Sequence, residues 1–175
     1  KGKSYSDFRY ESDDRPSFHH EAYSLSDFTE PKSDIPVVSF FSGAGGLDLG
    51  LEAAGFCHAL LVEKNPVFCE TLKLNRPRWK IEAADVSETA AMVEIVSRQT
   101  GNSSEFEGVF VGGPPCQPFS IASNQRFRKG GDKFKRVGFE HATNGNLLFD
   151  YIGLIKHFRP RVFLIENVPG LEDVD

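Results

Sequence analysis

From Pro36 onward the chain alternates short apolar runs with stretches of helical spacing, and this alternation restricts the fold more than any other feature. Val37–Phe41, Ala59–Val62, Trp79–Ala83, Val109–Val111 and Val162–Ile165 read as strands. Between them, Leu47–Ala54, Pro66–Asn75, Thr89–Arg98 and Leu147–Phe158 carry the helical period, with Gly55 closing the first and Pro66 near the first turn of the second. Strands joined by helices of this length call for a mostly parallel sheet with helices on both faces, a Rossmann-like α/β fold. Ligands of such sheets gather at the carboxyl ends of the strands, beside the point where strand order reverses. Each notable polar motif falls at such an end: Ser42–Gly46, Glu63, Asp85, Cys116 and Glu166-Asn167 follow the five strands in turn.

The 175 residues are one domain's worth of chain. Residues 1–34, with five Lys/Arg against eight Asp/Glu and no clear period, are expected to form a polar acidic arm, either docked through its aromatic residues or disordered. Cys57, Cys69 and Cys116 are an odd count without CxxC or zinc-type spacing, so neither a disulfide framework nor a metal site is suggested, which fits a reducing cytosol. Cys57 and Cys69 read as helix-face or core residues. No apolar run approaches a membrane span and no signal-peptide pattern opens the chain, so a soluble, cytoplasmic protein is expected. The net charge of -5 conceals a basic stretch, Arg126, Arg128, Lys129, Lys133, Lys135 and Arg136, that begins shortly after Cys116.

Cys116 lies in Gly112-Gly113-Pro114-Pro115-Cys116-Gln117-Pro118-Phe119-Ser120. Three prolines fix three φ angles around one thiol at the end of a strand. A nucleophile needs that mounting, because catalysis depends on holding the reacting atom in attack geometry. Phe41-Ser42-Gly43-Ala44-Gly45-Gly46 is a glycine turn between strand and helix, and it lets a ligand approach the backbone and the helix N-terminus. Asp48 replaces the last glycine of a dinucleotide fingerprint, although Glu63 stands twenty residues past Gly43, where a ribose-binding acid is expected. A carboxylate there suits a cofactor with ribose and no diphosphate, such as S-adenosylmethionine; a plain tight turn is the simpler alternative. Glu63 and Asp85 each read either as helix-capping or solvated acids, or as hydrogen-bond acceptors for an adenosine. Glu166 is either a helix cap or a group that holds a heterocycle while a thiolate attacks it. Ser120, Gln125, Arg126 and Arg128, with hinge glycines Gly130 and Gly131 beyond them, read as a solvated loop or as one that closes over a polyanion.

Taken together, Phe41 to Leu47, Glu63, Asp85, Gly113 to Ser120 and Glu166-Asn167-Val168 resemble, in order and spacing, the first six blocks of the cytosine-5 DNA methyltransferases, over about Val37–Leu171. The resemblance implies the Rossmann-like fold of S-adenosylmethionine-dependent methyltransferases, acting on double-stranded DNA, most often in bacterial restriction-modification. It implies that Cys116 adds to carbon 6 of a flipped cytosine, that Glu166 engages ring nitrogen 3 and the amino group, and that Pro115 orients the ring. It places Phe41, Gly43 and Gly45 along the cofactor, Glu63 on ribose, Asp85 on adenine, and Asn146 and Leu147 at the closing wall. The basic loop with Ser120, Gln125, Arg126 and Arg128 would contact DNA.

The chain departs from that family pattern in four places. Lys64 stands where many members set an aromatic or apolar residue against adenine. The Ser120–Gly145 loop is longer than in compact bacterial members, and Ala142-Thr143-Asn144-Gly145 replaces Asp-x-Arg-Gly. The sequence opens on Lys1 and stops at Asp175, before the Arg-x-Arg block, the target-recognition domain and the last strands. The expectation is therefore a sheet incomplete after its fifth strand, with an apolar edge at Val162–Ile165 and a remainder supplied by further sequence or a second subunit. A non-catalytic assembly module and a transfer-RNA cytosine-5 methyltransferase are the competing readings.

Overall fold

The computed structural model describes residues 33–115, 146–168 and 171. The acidic arm, apart from Ser33 and Asp34, and the basic loop with Cys116 lie outside those residues. Five strands, β1 (Pro36–Phe40), β2 (Cys57–Glu63), β3 (Ile81–Ala83), β4 (Val109–Gly112) and β5 (Val162–Ile165), form one sheet in the order β3-β2-β1-β4-β5. Every pairing is parallel. The helices α1 (Gly46–Ala53), α2 (Pro66–Asn75), α3 (Thr89–Thr100) and α4 (Leu147–Phe158) carry the crossovers. The chain proceeds outward from β1 through β2 to β3, then returns to β4 on the other side of β1. That reversal opens a crevice between the carboxyl ends of β1 and β4.

Helix ends follow their local chemistry. Asn65 caps α2, its Oδ1 accepting from the Val67 amide at 3.0 Å, with Pro66 supplying a preset φ in the first turn. α3 closes on Gly101 at φ 74, and α4 closes on Arg159 at φ 42, a left-handed position occupied by a side-chain-bearing residue. α1 starts after Gly45 at φ 91, where an added Cβ would come within 2.8 Å of Leu72 Cδ2.

The main core lies between the sheet and α3/α4. Val38, Phe40, Leu60, Val62 and Phe110 meet Met92, Val96, Tyr151, Leu154 and Phe158 there, all almost fully buried. Phe40 sits edge-on to Phe110 at 5.1 Å between ring centroids and tilted to Tyr151 at 5.2 Å. On the opposite face, Asp48 of α1 and His58 of β2 are both sealed from solvent, Nε2 of His58 lying 3.2 Å from Asp48 Oδ1. The approach lacks the angles of a hydrogen bond, so the pair rests on proximity, and the His58 ring lies against Trp79 at 4.8 Å. His58 reaches that face because the β1–β2 register slips: Val37 matches His58 and Val38 matches Leu60, leaving Ala59 without an opposite number.

Some expectations need adjusting. Cys69 is buried as foreseen, but Cys57 is exposed at the first residue of β2, where the strand emerges from the bottom of the sheet. β3 covers Ile81–Ala83 rather than starting at Trp79, whose amide instead closes a turn onto the Arg76 carbonyl at 3.0 Å. At the β5 edge, Val162, Phe163 and Leu164 are exposed in succession.

Candidate functional site

The glycine turn is built around one carboxylate. Glu63, at the end of β2, accepts from the Gly43 amide through Oε2 at 2.8 Å and from the Asn65 amide through Oε1 at 2.6 Å. It thus ties the turn after β1 to the start of α2, and each oxygen retains a lone pair for a ligand. Gly43 and Gly45 take positive φ, and so does Phe41 at φ 57. A left-handed phenylalanine costs on the order of 1–2 kcal/mol. Its ring stands edge-on to Tyr151 at 6.1 Å and walls the crevice.

Beyond this turn lies a cavity of about 730 Å³ lined by Phe41, Glu63, Asp85, Pro115, Asn146 and Leu147, with Lys64 and Asp150 at its rim. Its size is that of small-ligand sites in general. Asp85 follows β3; its Oδ1 accepts from the Ser87 amide at 3.1 Å and its Oδ2 pairs with Lys64 Nζ at 2.5 Å. Burial pushes the Asp85 carboxyl up, but hydrogen bonds from Lys64 and Ser87 outweigh it and leave the group below the ordinary aspartate value. Asp150, in the first turn of α4, is shifted upward by burial and then by the charge of Asp85.

A second cavity of about 420 Å³, lined by Ser39, Phe41, Ser42, Asp48, Gly113 and Glu166, adjoins the first through the shared walls Phe41 and Gly113. Here the ends of β4 and β5 are bolted together. The Glu166 amide donates to the Gly112 carbonyl at 2.9 Å, and Asn167 Nδ2 donates to the Pro114 carbonyl at 3.2 Å. A Cβ on Gly113 would stand 3.2 Å from Glu166 Oε2, and one on Gly112 would press to 2.9 Å from the Tyr151 ring. The two glycines therefore let the Glu166 carboxylate and the Tyr151 ring pack directly on the backbone that leads to Cys116.

Of the residues singled out from sequence, Phe41, Glu63, Asp85, Pro115, Asn146 and Leu147 share the larger cavity, Glu166 lies in the adjoining one, and Gly43 and Gly45 form the turn between β1 and α1. Cys116, Ser120, Gln125, Arg126 and Arg128 lie outside the described residues. Sequence reasoning missed the Lys64–Asp85 pair, the rim position of Asp150, the Asp48–His58 pair and the Asn167–Pro114 bond. Asp150 carried one usable signal, an acid in the first turn of the helix after the basic loop. Among the described residues no cluster of His, Cys, Asp or Glu could hold a metal ion, and no helix is long and apolar enough to cross a membrane.

Similarity to known proteins agrees with this geometry. Type II methyltransferase M.PspPI of a Psychrobacter species is 39% identical over 151 residues, covering 83% of this chain and 30% of that protein. Type II methyltransferase M.AquIA of a Picosynechococcus species is 36% identical over 135 residues, covering 77% of this chain and 49% of that protein. The chain thus spans between about a third and a half of the length of these relatives. A prophage-encoded DNA modification methyltransferase of E. coli superposes with a TM-score of 0.55 at 33% identity, over 78% of this chain and 33% of that one. DNMT2 of Spodoptera frugiperda, at 20% identity and a TM-score of 0.53 over 80% of this chain and 37% of that one, shares the fold. The family model for C-5 cytosine-specific DNA methylases matches residues 35–175, and with the parallel sheet and the paired cavities at its switch point, the chain belongs to that family.

Proposed function

We propose that this chain carries the cofactor site and catalytic centre of a DNA cytosine-5 methyltransferase of a bacterial restriction-modification system. The observation that carries the reading is the junction of β4 and β5. It sets Glu166 against Gly113, three residues before Cys116, on the wall between a carboxylate-lined cavity and its neighbour.

S-adenosylmethionine fits the larger cavity by its chemistry. Glu63 keeps acceptor capacity for ribose hydroxyls and Asp85 for the exocyclic amine of adenine, while a wall bearing three acids disfavours a diphosphate. When bound, this cofactor supplies an electrophilic methyl group on a sulfonium. Phe41 and the backbone of Gly43 and Gly45 would line the cofactor, and Asn146 and Leu147 would close its pocket.

The chain's residues then divide the work on a cytosine extruded from double-stranded DNA. The Cys116 thiolate bonds to carbon 6, and the electron pair of the 5,6 double bond moves to carbon 5. Glu166 hydrogen-bonds ring nitrogen 3 and the amino group, favouring charge that develops on the ring. Carbon 5 uses that electron pair to take the methyl group, whose old bonding pair stays with the donor as a neutral thioether. The carbon 5 proton then leaves to solvent, the 5,6 double bond re-forms, and the carbon 6–Cys116 bond breaks to return the thiolate. Pro115 packs against the ring. Ser120, Gln125, Arg126 and Arg128 hold the phosphate backbone.

The test uses the full-length protein with DNA in which 5-fluorocytosine replaces the target base. Fluorine stands where the departing proton would be, so a covalent adduct should persist and appear by intact mass as protein plus methylated strand. Cys116→Ser should form none while still binding S-adenosylhomocysteine. No adduct from the unsubstituted protein, or adduct only with transfer RNA, refutes the assignment.

A further inference from the structure

Among the described residues that line the larger cavity, Lys64 is the sole cation, set among the acids Glu63, Asp85 and Asp150. It directly follows β2, and its side chain is 75% exposed, yet its ammonium reaches Asp85 across the strand gap. An exposed lysine in a fixed contact gives up rotamer freedom, so its direction here has a cause. The hydrogen bond to Asp85 and then its charge raise the Lys64 ammonium above its ordinary value, with a smaller contribution from Glu88 at the head of α3.

We propose that Lys64 is a positioning residue for the purine end of the cofactor: its ammonium, with the Ser87 amide, fixes the Asp85 carboxylate as an ionised acceptor turned into the cavity. This rests on the cofactor reading above. Two anchors, one on each oxygen, define the plane of the carboxylate before ligand arrives, and each oxygen keeps a lone pair for the 6-amino group. Without Lys64, Asp85 keeps only Ser87, through its amide and its side chain, and no cation among the described lining residues offsets its repulsion with Asp150. Preorganised acceptors bind more tightly because less order is lost on binding.

The charged groups around the Lys64–Asp85 pair are Glu63 from β2, Asp150 from α4, whose carboxyl feels the charge of Asp85, and Glu88 just ahead of α3, whose charge acts on Lys64. The sign follows from them. Asp85 is held below its ordinary value, so its acceptor form persists as pH falls into the acidic range and is lost on passing its folded-state value. Removing Lys64 leaves burial and the acids, which move that loss to higher pH.

Calorimetric titration of S-adenosylhomocysteine into the full-length protein tests the assignment. Lys64→Met should weaken binding about fivefold at low salt, the scale of an exposed pair, and the deficit should shrink as salt screens the wild-type contact. The acid loss of binding should begin at higher pH in Lys64→Met than in the wild type. In an Asp85→Asn background the same substitution should change affinity less than about twofold, since the partner through which it acts is gone. Lys64→Arg should restore most of the affinity. Wild type that binds while Lys64→Met matches it in affinity, salt response and pH profile overturns the Lys64 role alone. Wild type that binds no nucleoside overturns the cofactor reading together with it.

Discussion

Three glycines within four residues of the turn differ in what they ask of the backbone, and alanine substitutions separate those demands. Gly46 has open space around its Cα and no positive φ, so Gly46→Ala at the start of α1 should be neutral or stabilise by up to about 1 kcal/mol. Gly43 has open space but φ +55, so Gly43→Ala should cost only the left-handed penalty, about 1–2 kcal/mol. Gly45 combines φ +91 with a Cβ position 2.8 Å from Leu72 Cδ2, and Leu72 is itself only 1% exposed and has no room to retreat. Overpacking typically adds about 1–3 kcal/mol to the backbone term, so Gly45→Ala should lose about 2–5 kcal/mol. Urea unfolding of the full-length protein, monitored by the fluorescence of Trp79, gives all three values on one scale. Leu72→Ala in the Gly45→Ala background supplies the decisive number: the double variant should lose less than the sum of the singles, because the clash vanishes with the leucine. Equal costs for Gly43→Ala and Gly45→Ala, or strict additivity of the pair, would refute the packing argument.

Two further outcomes follow from the site. Asn167→Ala removes the bond to the Pro114 carbonyl, so it should cost about 1 kcal/mol of stability and lower kcat while leaving the KM for the methyl donor unchanged; steady-state kinetics with kcat intact would show that this bond does not position Cys116. Asp48→Ala strands His58 in a sealed site and should destabilise by about 3–5 kcal/mol, whereas the double change Asp48→Leu with His58→Leu should cost less, as read by thermal unfolding.

The fold was legible because its signal is local. Each strand and helix announces itself within about ten residues, and Pro66–Asn75, Leu147–Phe158 and Val162–Ile165 lie where their apolar spacing places them. Where the reading slipped, a contact distant in sequence decided the matter: Trp79 looks like a strand residue, yet its ring is drawn against His58. The acids of the site were also visible, because each ends an apolar run. Their partners were not, since the Lys64–Asp85 pair spans twenty-one residues and the Asn167–Pro114 bond fifty-three, and both depend on which strands become neighbours. Nothing in the spelling of β2 reveals that His58 and Leu60, two residues apart, would point to opposite sides of the sheet.

That last detail makes the bulge at Ala59 a change of phase that depends on the backbone rather than on the side chain it carries. Ahead of it the strand answers to α1 through His58; behind it Leu60 and Val62 keep time with β1, and Glu63 follows as the last residue of the strand. Regular pairing of the same residues, with Ala59 kept and the bulge ironed out, would come at the expense of phase, turning either the histidine into the aromatic core or the glutamate away from the Gly43 amide. The irregularity at position 59 is what lets one strand serve a buried histidine at one end and the ligand turn at the other.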